Sequence, residues 1–126
     1  VNLALVPEAA SSLLLPMRIG HARAFEMFAL GEPVSAEQAL AWGLANRVVA
    51  SADLHAEADR IARLLAAKPA GALSATKRLM RAVDAIGRQM EVESAEFSRR
   101  LRSPEAREAF AAFMERRAPD FTQFDR

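Results

Sequence analysis

Apolar residues recur at spacings of three and four positions along most of the chain, a periodicity typical of amphipathic helices. The clearest examples are Leu54, Ala58, Ile61 and Leu65 in one segment and Ala109, Phe110 and Phe113 in another. Only two short stretches, residues 1–6 and 46–50, are apolar or β-branched enough for brief extended segments. The pattern therefore predicts a mainly α chain in which any strands are short and confined to these stretches.

Residue types that begin and end helices give the predicted boundaries. Ser35 and Gln38 have the form of a capping box, and Ser103-Pro104 combines a cap with a first-turn proline. Pro16 is expected to close the first helix, because proline disfavours helical geometry in the residue before it. The predicted helices run from Pro7 to Leu15, Gly20 to Leu30, Ser35 to Gly43, Asp53 to the residue before Pro69, Leu73 to Ala82, Ile86 to Leu101 and Ser103 to about Arg117.

Composition narrows the class of protein. The 126 residues are 52% hydrophobic but only 6% aromatic, so we expect a globular chain filled mainly by alanine and leucine. Without cysteine it cannot form disulfides or thiolate sites, and a cytoplasmic location is the expectation. A formal net charge of +1 gives no general attraction for nucleic acid, and no apolar stretch is long enough to span a membrane.

Few groupings of reactive side chains indicate a site. The two histidines, His21 and His55, lie 34 positions apart, so we expect no His-based metal site, and no phosphate-binding glycine motif is present. Arg99, Arg100 and Arg102 form a basic cluster that could bind phosphates. The glutamates interleaved with them favour an ordinary solvated helix face.

Glu8 has two interpretations on the residues alone. It lies between Val6-Pro7 and two alanines at the predicted start of a helix. A carboxyl buried there would favour its protonated form, which suits proton transfer near neutral pH. Alternatively, an acid in the first turn simply complements the positive end of the helix, and without further information this second interpretation is favoured.

Several segments occur in a recognisable order. They are V-P-E-A-A-S-S at 6–12, G-E-P-V-S-A-E-Q-A at 31–39, G-L-A-N-R-V-V at 43–49, K-P at 68–69 with T-K at 76–77, and F-M-E-R-R at 113–117. Together they resemble the C-terminal half of the enoyl-CoA hydratase/isomerase (crotonase) family. The P-E-x-x-S-S pattern is most similar to the Δ3,Δ2-enoyl-CoA isomerases.

This resemblance implies the helical C-terminal part of a crotonase fold, which is an α/β fold of the ClpP/crotonase type. Residues 1–50 would form the end of the crotonase core with its active-site helix, and residues 51–126 a helical domain for oligomerisation and for covering CoA. The N-terminal spiral domain, which carries both oxyanion-hole N–H groups in the family, is expected to be absent from this chain. The implied assembly is a homo-oligomer, either a trimer or a dimer of trimers.

The resemblance also implies roles for individual residues. Glu8 falls where the isomerases place the glutamate that removes a proton from C2 of an acyl-CoA and returns it at C4. This favours catalysis over the helix-start interpretation. Phe97 and Arg116 fall where family members contact the CoA adenine and its phosphates, with arginine in place of the usual lysine. The acyl-CoA thioester is the substrate, and no further cofactor or metal is implied.

Two alternatives to an isomerase stay open. Typical hydratases have glycine at the position of Glu8 and a catalytic glutamate immediately before Val1, so an enoyl-CoA hydratase of fatty-acid β-oxidation is the second hypothesis. The third is an assembly module without activity. We expect the chain by itself to be inactive, because the oxyanion hole usually supplies the largest electrostatic contribution to such reactions.

Overall fold

The computed structural model describes residues 2–124, which form seven α-helices joined by turns. They are α1 (Ser11–Ile19), α2 (His21–Leu30), α3 (Ala36–Ala41), α4 (Leu54–Ala66), α5 (Ala70–Leu79), α6 (Val83–Leu101) and α7 (Pro104–Glu115), with a 3₁₀ turn, Ser51–Asp53, before α4. No strand occurs within residues 2–124, and Val1, part of one predicted extended stretch, lies outside the described residues. The mainly α prediction is confirmed.

Helix ends that depend on local signals lie where they were predicted. Gly31 ends α2 in the left-handed conformation, with φ 65°, and its N–H donates to the Met27 carbonyl. The capping box before α3 is complete: the Gln38 N–H donates to Ser35 Oγ over 3.2 Å, and the Ser35 N–H donates to Gln38 Oε1 over 2.9 Å. Ser103 Oγ likewise accepts from the Ala106 N–H at the start of α7.

The predicted first helix, Pro7 to Leu15, is wrong at both ends. Ala9 and Ala10 each have φ 59°, in the left-handed region, so the chain turns before α1 begins at Ser11. Pro16 lies inside α1 rather than after it. The helix continues because the Gly20 N–H still bonds to the Pro16 carbonyl over 3.0 Å and because α1 packs against α2.

Other helix boundaries and one cap also differ from the predicted ones. Helices α5 and α6 begin at Ala70 and Val83, ahead of the predicted Leu73 and Ile86. Asp53 makes no side-chain cap for α4, because the preceding 3₁₀ turn leads directly into the helix. These are shifts of the helix ends, which are the least constrained part of a helix.

The chain divides into two compact units, one made of the stretches up to Val34 and from Ile86 onward, the other of Ser35–Ala85. The first unit contains a small core of Ala4, Ala106 and Ala109, with Leu5 packed against it. The apolar spacing of the last helix predicts that Ala109, Phe110 and Phe113 are all buried, and for Ala109 this is confirmed. For Phe110 and Phe113 it is wrong: they are 39% and 70% exposed, because α7 buries its alanine face instead.

The second unit has apolar faces that remain uncovered. The predicted stripe along α4 is present, but Leu54 and Leu65 are exposed and Ile61 is only half-buried. At the end of α5, Leu79 is 89% exposed.

The sequence prediction divides the chain into residues 1–50 and 51–126. That division concerns functional roles rather than compactness, and it stays a prediction.

Candidate active site

Glu8 lies in the irregular segment that connects Ala4 with α1. Its backbone carbonyl accepts a hydrogen bond from the Ser11 N–H over 3.0 Å, which closes a turn through Ala9 and Ala10. Its side chain is exposed, so the burial considered from the sequence is not found in this chain. Within residues 2–124 no hydrogen bond or ion pair engages the Glu8 carboxylate, which leaves both oxygens available to another molecule.

An open cleft of about 370 Å³ lies beside this segment. It is lined by Asn2, Leu3, Leu5, Val6, Pro7, Glu8, Phe28 and Phe97. Apart from Asn2 at one side, Glu8 supplies the only polar side chain among these lining residues, and the rest of the wall is apolar. The cleft therefore combines a single carboxylate with a surface suited to a hydrocarbon chain or a ring.

The structure brings together two of the three predicted site residues. Glu8 and Phe97 line the same cleft, although 89 positions separate them in the sequence. Arg116 is not among the lining residues. It ends α7 in the left-handed conformation, with φ 55°, and its side chain is exposed.

A buried carboxylate on α6 holds the start of α1. Glu93 is only 4% exposed. Its Oε2 accepts a hydrogen bond from the Ala10 N–H over 2.6 Å, and its Oε1 accepts from the Ser12 N–H over 2.9 Å and from the Ser12 hydroxyl. The Gln89 amide donates to Ser12 Oγ over 2.8 Å, so the hydroxyl proton is directed at Glu93.

This arrangement tests the interpretation of Glu8 as an acid at the start of a helix. Helix α1 has no acidic residue in its first turn and no cap from its own Ala10 side chain. The Ala10 and Ser12 N–H groups at its start are instead bonded to Glu93, which is the role that a capping side chain normally fills. The interpretation of Glu8 as an acid of the first helical turn is therefore wrong.

Glu93 was not predicted as a site residue, although the sequence contains a signal. Apolar residues of α6 follow the helical register Ile86, Met90, Phe97, with spacings of three or four once position 93 is included. Glu93 occupies that position on the apolar stripe. A charged residue in an apolar register is unfavourable unless it is paired, and here its partners are two backbone N–H groups and a hydroxyl.

Helix α6 also contacts the other end of the Glu8 segment. Arg100 Nε donates to the Ala4 carbonyl over 3.4 Å, and the same guanidinium pairs with Glu105 over 3.3 Å. Glu93, Phe97 and Arg100 lie at i, i+4 and i+7 on one face of α6. The segment from Ala4 to Ala10 is thus contacted by one face of a single helix.

The neighbouring arginines at the end of α7 have different surroundings. Arg117 donates to Glu115 over 2.6 Å and to Glu108 Oε2 over 3.1 Å. These hydrogen bonds from Arg117, together with the bond from the Asp120 N–H, lower the pKa of Glu108 to about 2. Within residues 2–124, no acidic side chain pairs with Arg116.

Among residues 2–124, no three histidine, aspartate or glutamate side chains lie close enough together to hold a metal ion. None of the helices in that range is both long and apolar enough to cross a bilayer.

Comparison with known proteins gives a consistent result. Residues 1–124 match the family described as enoyl-CoA hydratase/isomerase. The chain is 34% identical over 123 residues to 1,2-epoxyphenylacetyl-CoA isomerase of Escherichia coli, covering 96% of this chain and 47% of that protein. It is 32% identical over 126 residues to carnitinyl-CoA dehydratase of Proteus mirabilis, covering 95% of this chain and 48% of that protein.

Solved structures agree with these sequence matches. An enoyl-CoA hydratase/isomerase from Pseudoalteromonas atlantica superimposes with a TM-score of 0.91 at 41% identity, covering 96% of this chain and 50% of that chain. An enoyl-CoA hydratase from Mycobacterium avium subsp. paratuberculosis gives a TM-score of 0.90 at 33% identity, covering 97% and 50%. The chain thus spans about half the length of the relatives it matches.

Proposed function

The chain belongs to the enoyl-CoA hydratase/isomerase family. We propose that it forms part of an acyl-CoA isomerase in which Glu8 is the catalytic acid/base. The observation that carries this proposal is the position of Glu8. Its carboxylate has no structural partner within residues 2–124, and it lines an apolar cleft together with Phe97. An unpaired carboxylate beside an apolar surface can meet the C2 and C4 atoms of an enoyl chain.

The proposed reaction moves one proton and one double bond. The Glu8 carboxylate removes a proton from C2 of a 3-enoyl-CoA, and the electron pair of that C–H bond passes into the thioester as an enolate. Protonated Glu8 then gives the proton to C4, where the electrons of the C3–C4 double bond form the new C–H bond. The enolate electrons at the same time form the C2–C3 double bond and restore the thioester carbonyl. Glu8 ends ionised, so the cycle consumes no other reactant.

The resemblance implies one contribution from outside these residues and two from within them. The resemblance implies that the N–H groups stabilising the enolate oxygen belong to the spiral domain of the family, so the chain by itself is expected to be inactive. Arg116 is proposed to bind phosphate of the CoA moiety, because its exposed guanidinium has no acidic partner within the described residues. Phe97 is proposed to contact the adenine.

Hydration is the second candidate, and the relatives support it as well. A probable enoyl-CoA hydratase of Bacillus subtilis is 30% identical over 124 residues, covering 96% of this chain and 48% of that protein. Its similarity is close to that of the E. coli isomerase, so identity does not discriminate between the reactions. The presence of Glu8, where typical hydratases have glycine, favours the isomerase.

Assembly is a proposed role of the second unit, whatever the reaction. Leu54, Leu65 and Leu79 remain exposed on α4 and α5, and apolar side chains grouped on helix faces usually mark a contact surface. A trimer or a dimer of trimers is the assembly that the resemblance implies. A cytoplasmic location stays the expectation from composition.

The test of the proposed reaction uses the complete gene product with a 3-enoyl-CoA and a 2-enoyl-CoA in parallel. We expect double-bond migration in the wild type and its loss, by about 100- to 10,000-fold, in Glu8→Gln. Glu26→Gln is the matched control, since Glu26 is an exposed glutamate of α2 outside the cleft lining. Double-bond migration that continues at the wild-type rate in Glu8→Gln would overturn the proposal. A wild type that hydrates the 2-enoyl-CoA without moving the double bond of the 3-enoyl-CoA would overturn it too and favour a hydratase.

A further inference from the structure

We propose that Glu93 is a positioning residue for Glu8. Its buried carboxylate would fix the backbone turn from which Glu8 projects into the cleft. This inference rests on the proposed function of Glu8, but it concerns a different residue on a different helix. It starts from the fact that Glu93 is the one charged side chain found buried among residues 2–124.

The turn after Glu8 has a conformation that needs external support. Ala9 and Ala10 both have φ 59°, and consecutive L-residues other than glycine rarely adopt the left-handed region. The backbone bond from the Ser11 N–H to the Glu8 carbonyl closes this turn. Glu93 then holds Ala10 and Ser12 from outside, through 2.6 Å and 2.9 Å hydrogen bonds to their N–H groups.

Only a short stretch of backbone separates Glu8 from the groups that bond to Glu93. Glu8 lies two residues before Ala10, so a shift of the Ala10 N–H displaces the base of the Glu8 side chain. Proton transfer between a carboxylate and a carbon atom depends steeply on their separation, and a misplacement of about 1 Å lowers rates by about 100-fold. Support for the turn by Glu93 therefore raises the rate of proton transfer by Glu8.

Charge and hydrogen-bond polarity explain why this position needs a carboxylate. An ionised carboxylate only accepts hydrogen bonds, and it can receive several at once. Both Glu93 oxygens are used as acceptors, for Ala10 on one side and for the N–H and hydroxyl of Ser12 on the other. In Glu93→Gln an NH₂ group would face one of these donors, so the side chain keeps its shape but loses part of the support.

The test measures steady-state isomerisation by the complete gene product carrying Glu93→Gln. We expect kcat to fall by about 10- to 100-fold, with the KM for the acyl-CoA changed less than about threefold, because the apolar wall of the cleft is unchanged. Glu91→Gln is the matched control. It lies on the same helix and is exposed, so its kcat is expected to equal that of the wild type.

The double variant Glu8→Gln/Glu93→Gln distinguishes positioning from a general loss of structure. If Glu93 acts only through Glu8, the double variant is no slower than Glu8→Gln alone, since there is no carboxylate left to position. Losses that multiply would overturn the proposal, and so would an unchanged kcat in Glu93→Gln. If Glu8→Gln itself is fully active, the proposed function fails, which is a separate result.

Ser12→Ala keeps the test decisive should Glu93→Gln not fold. It removes the hydroxyl that donates to Glu93 but retains both backbone N–H bonds. We expect a smaller fall in kcat, about threefold to tenfold, that disappears in the Glu8→Gln background. An unchanged kcat, or a loss that persists in that background, would contradict a positioning role for this network.

Discussion

The Glu93 carboxylate accepts a hydrogen bond from the Ala10 N–H over 2.6 Å, although 83 residues separate the two in sequence. This contact joins α6 to the turn before α1, and it lies two residues from Glu8. The long-range contact therefore connects the fold of the first compact unit to the geometry of its candidate active site.

Removing the Glu93 side chain should lower stability as well as rate. Glu93→Ala leaves the Ala10 and Ser12 N–H groups without an acceptor, and unsatisfied buried donors of this kind cost about 2 to 4 kcal/mol together. The measurement is the change in the urea midpoint of the complete gene product. Glu91→Ala, at an exposed position of the same helix, should change it little. Equal midpoints for Glu93→Ala and wild type would show that the network does not stabilise the fold.

Replacing Gly31 and Gly87 by alanine should change the free energy of unfolding in opposite directions. Gly31 has φ +65°, and a Cβ there would lie 2.7 Å from Asn2 Nδ2, so Gly31→Ala should destabilise by about 1 to 3 kcal/mol. Gly87, inside α6, has no atom within 4 Å of a Cβ, so Gly87→Ala should stabilise by about 0.5 to 1 kcal/mol. Thermal unfolding of both variants tests this, and two shifts of the same sign would refute it.

Substitution of the two arginines at the end of α7 should have different effects: on CoA binding for Arg116 and on local structure for Arg117. Arg116→Ala is expected to raise the KM for an acyl-CoA about tenfold through a lost phosphate contact, without changing kcat. The same variant should act normally on an acyl-pantetheine, which lacks those phosphates. Arg117→Ala should instead free the loop held through Glu108 and Glu115. An equal KM increase for both substrates in Arg116→Ala would rule out phosphate recognition.

Acidification should release the loop that follows α7. Glu108 has an ordinary pKa of 4.5 that Arg117 and the Asp120 N–H lower to about 2 in the folded chain. A lowered folded pKa means that the stabilisation is complete above about pH 4.5 and is lost as the pH falls towards 2. Hydrogen exchange at Asp120, compared between wild type and Glu108→Gln, should differ at pH 6, begin to converge below about pH 4.5 and become equal only near pH 2. A difference that already vanishes above pH 5 would contradict this assignment.

The helix ends that the sequence predicts correctly are those determined by local contacts. Gly31, the capping box of Ser35 and Gln38, and the cap at Ser103 each act within a few residues, so their patterns are visible in the sequence. The start of α1 was missed because its capping acceptor, Glu93, comes from a helix distant in sequence. No local sequence pattern around Ala10 indicates that Glu93 is its hydrogen-bond partner.

Burial was harder to predict than helix position. The apolar spacing of α7 is compatible with a face through Phe110 and Phe113, yet the structure buries Ala106, Ala109 and Ala112. Small residues allow close approach of backbones, and only the packed neighbour decides which face is used. For the candidate site, the resemblance supplied Glu8 and Phe97, while their common cleft required the three-dimensional structure.

The most direct test of the central claim follows the C2 proton itself. A 3-enoyl-CoA carrying deuterium at C2 is given to the complete gene product, and the departure of deuterium from C2, whether to C4 or to solvent, is followed by ²H NMR. We expect rapid loss with the wild type and with Glu26→Gln, and a rate lower by about 100- to 10,000-fold with Glu8→Gln. Loss of C2 deuterium at the wild-type rate in Glu8→Gln would mean that another base removes the proton, and the account of Glu8 would be wrong.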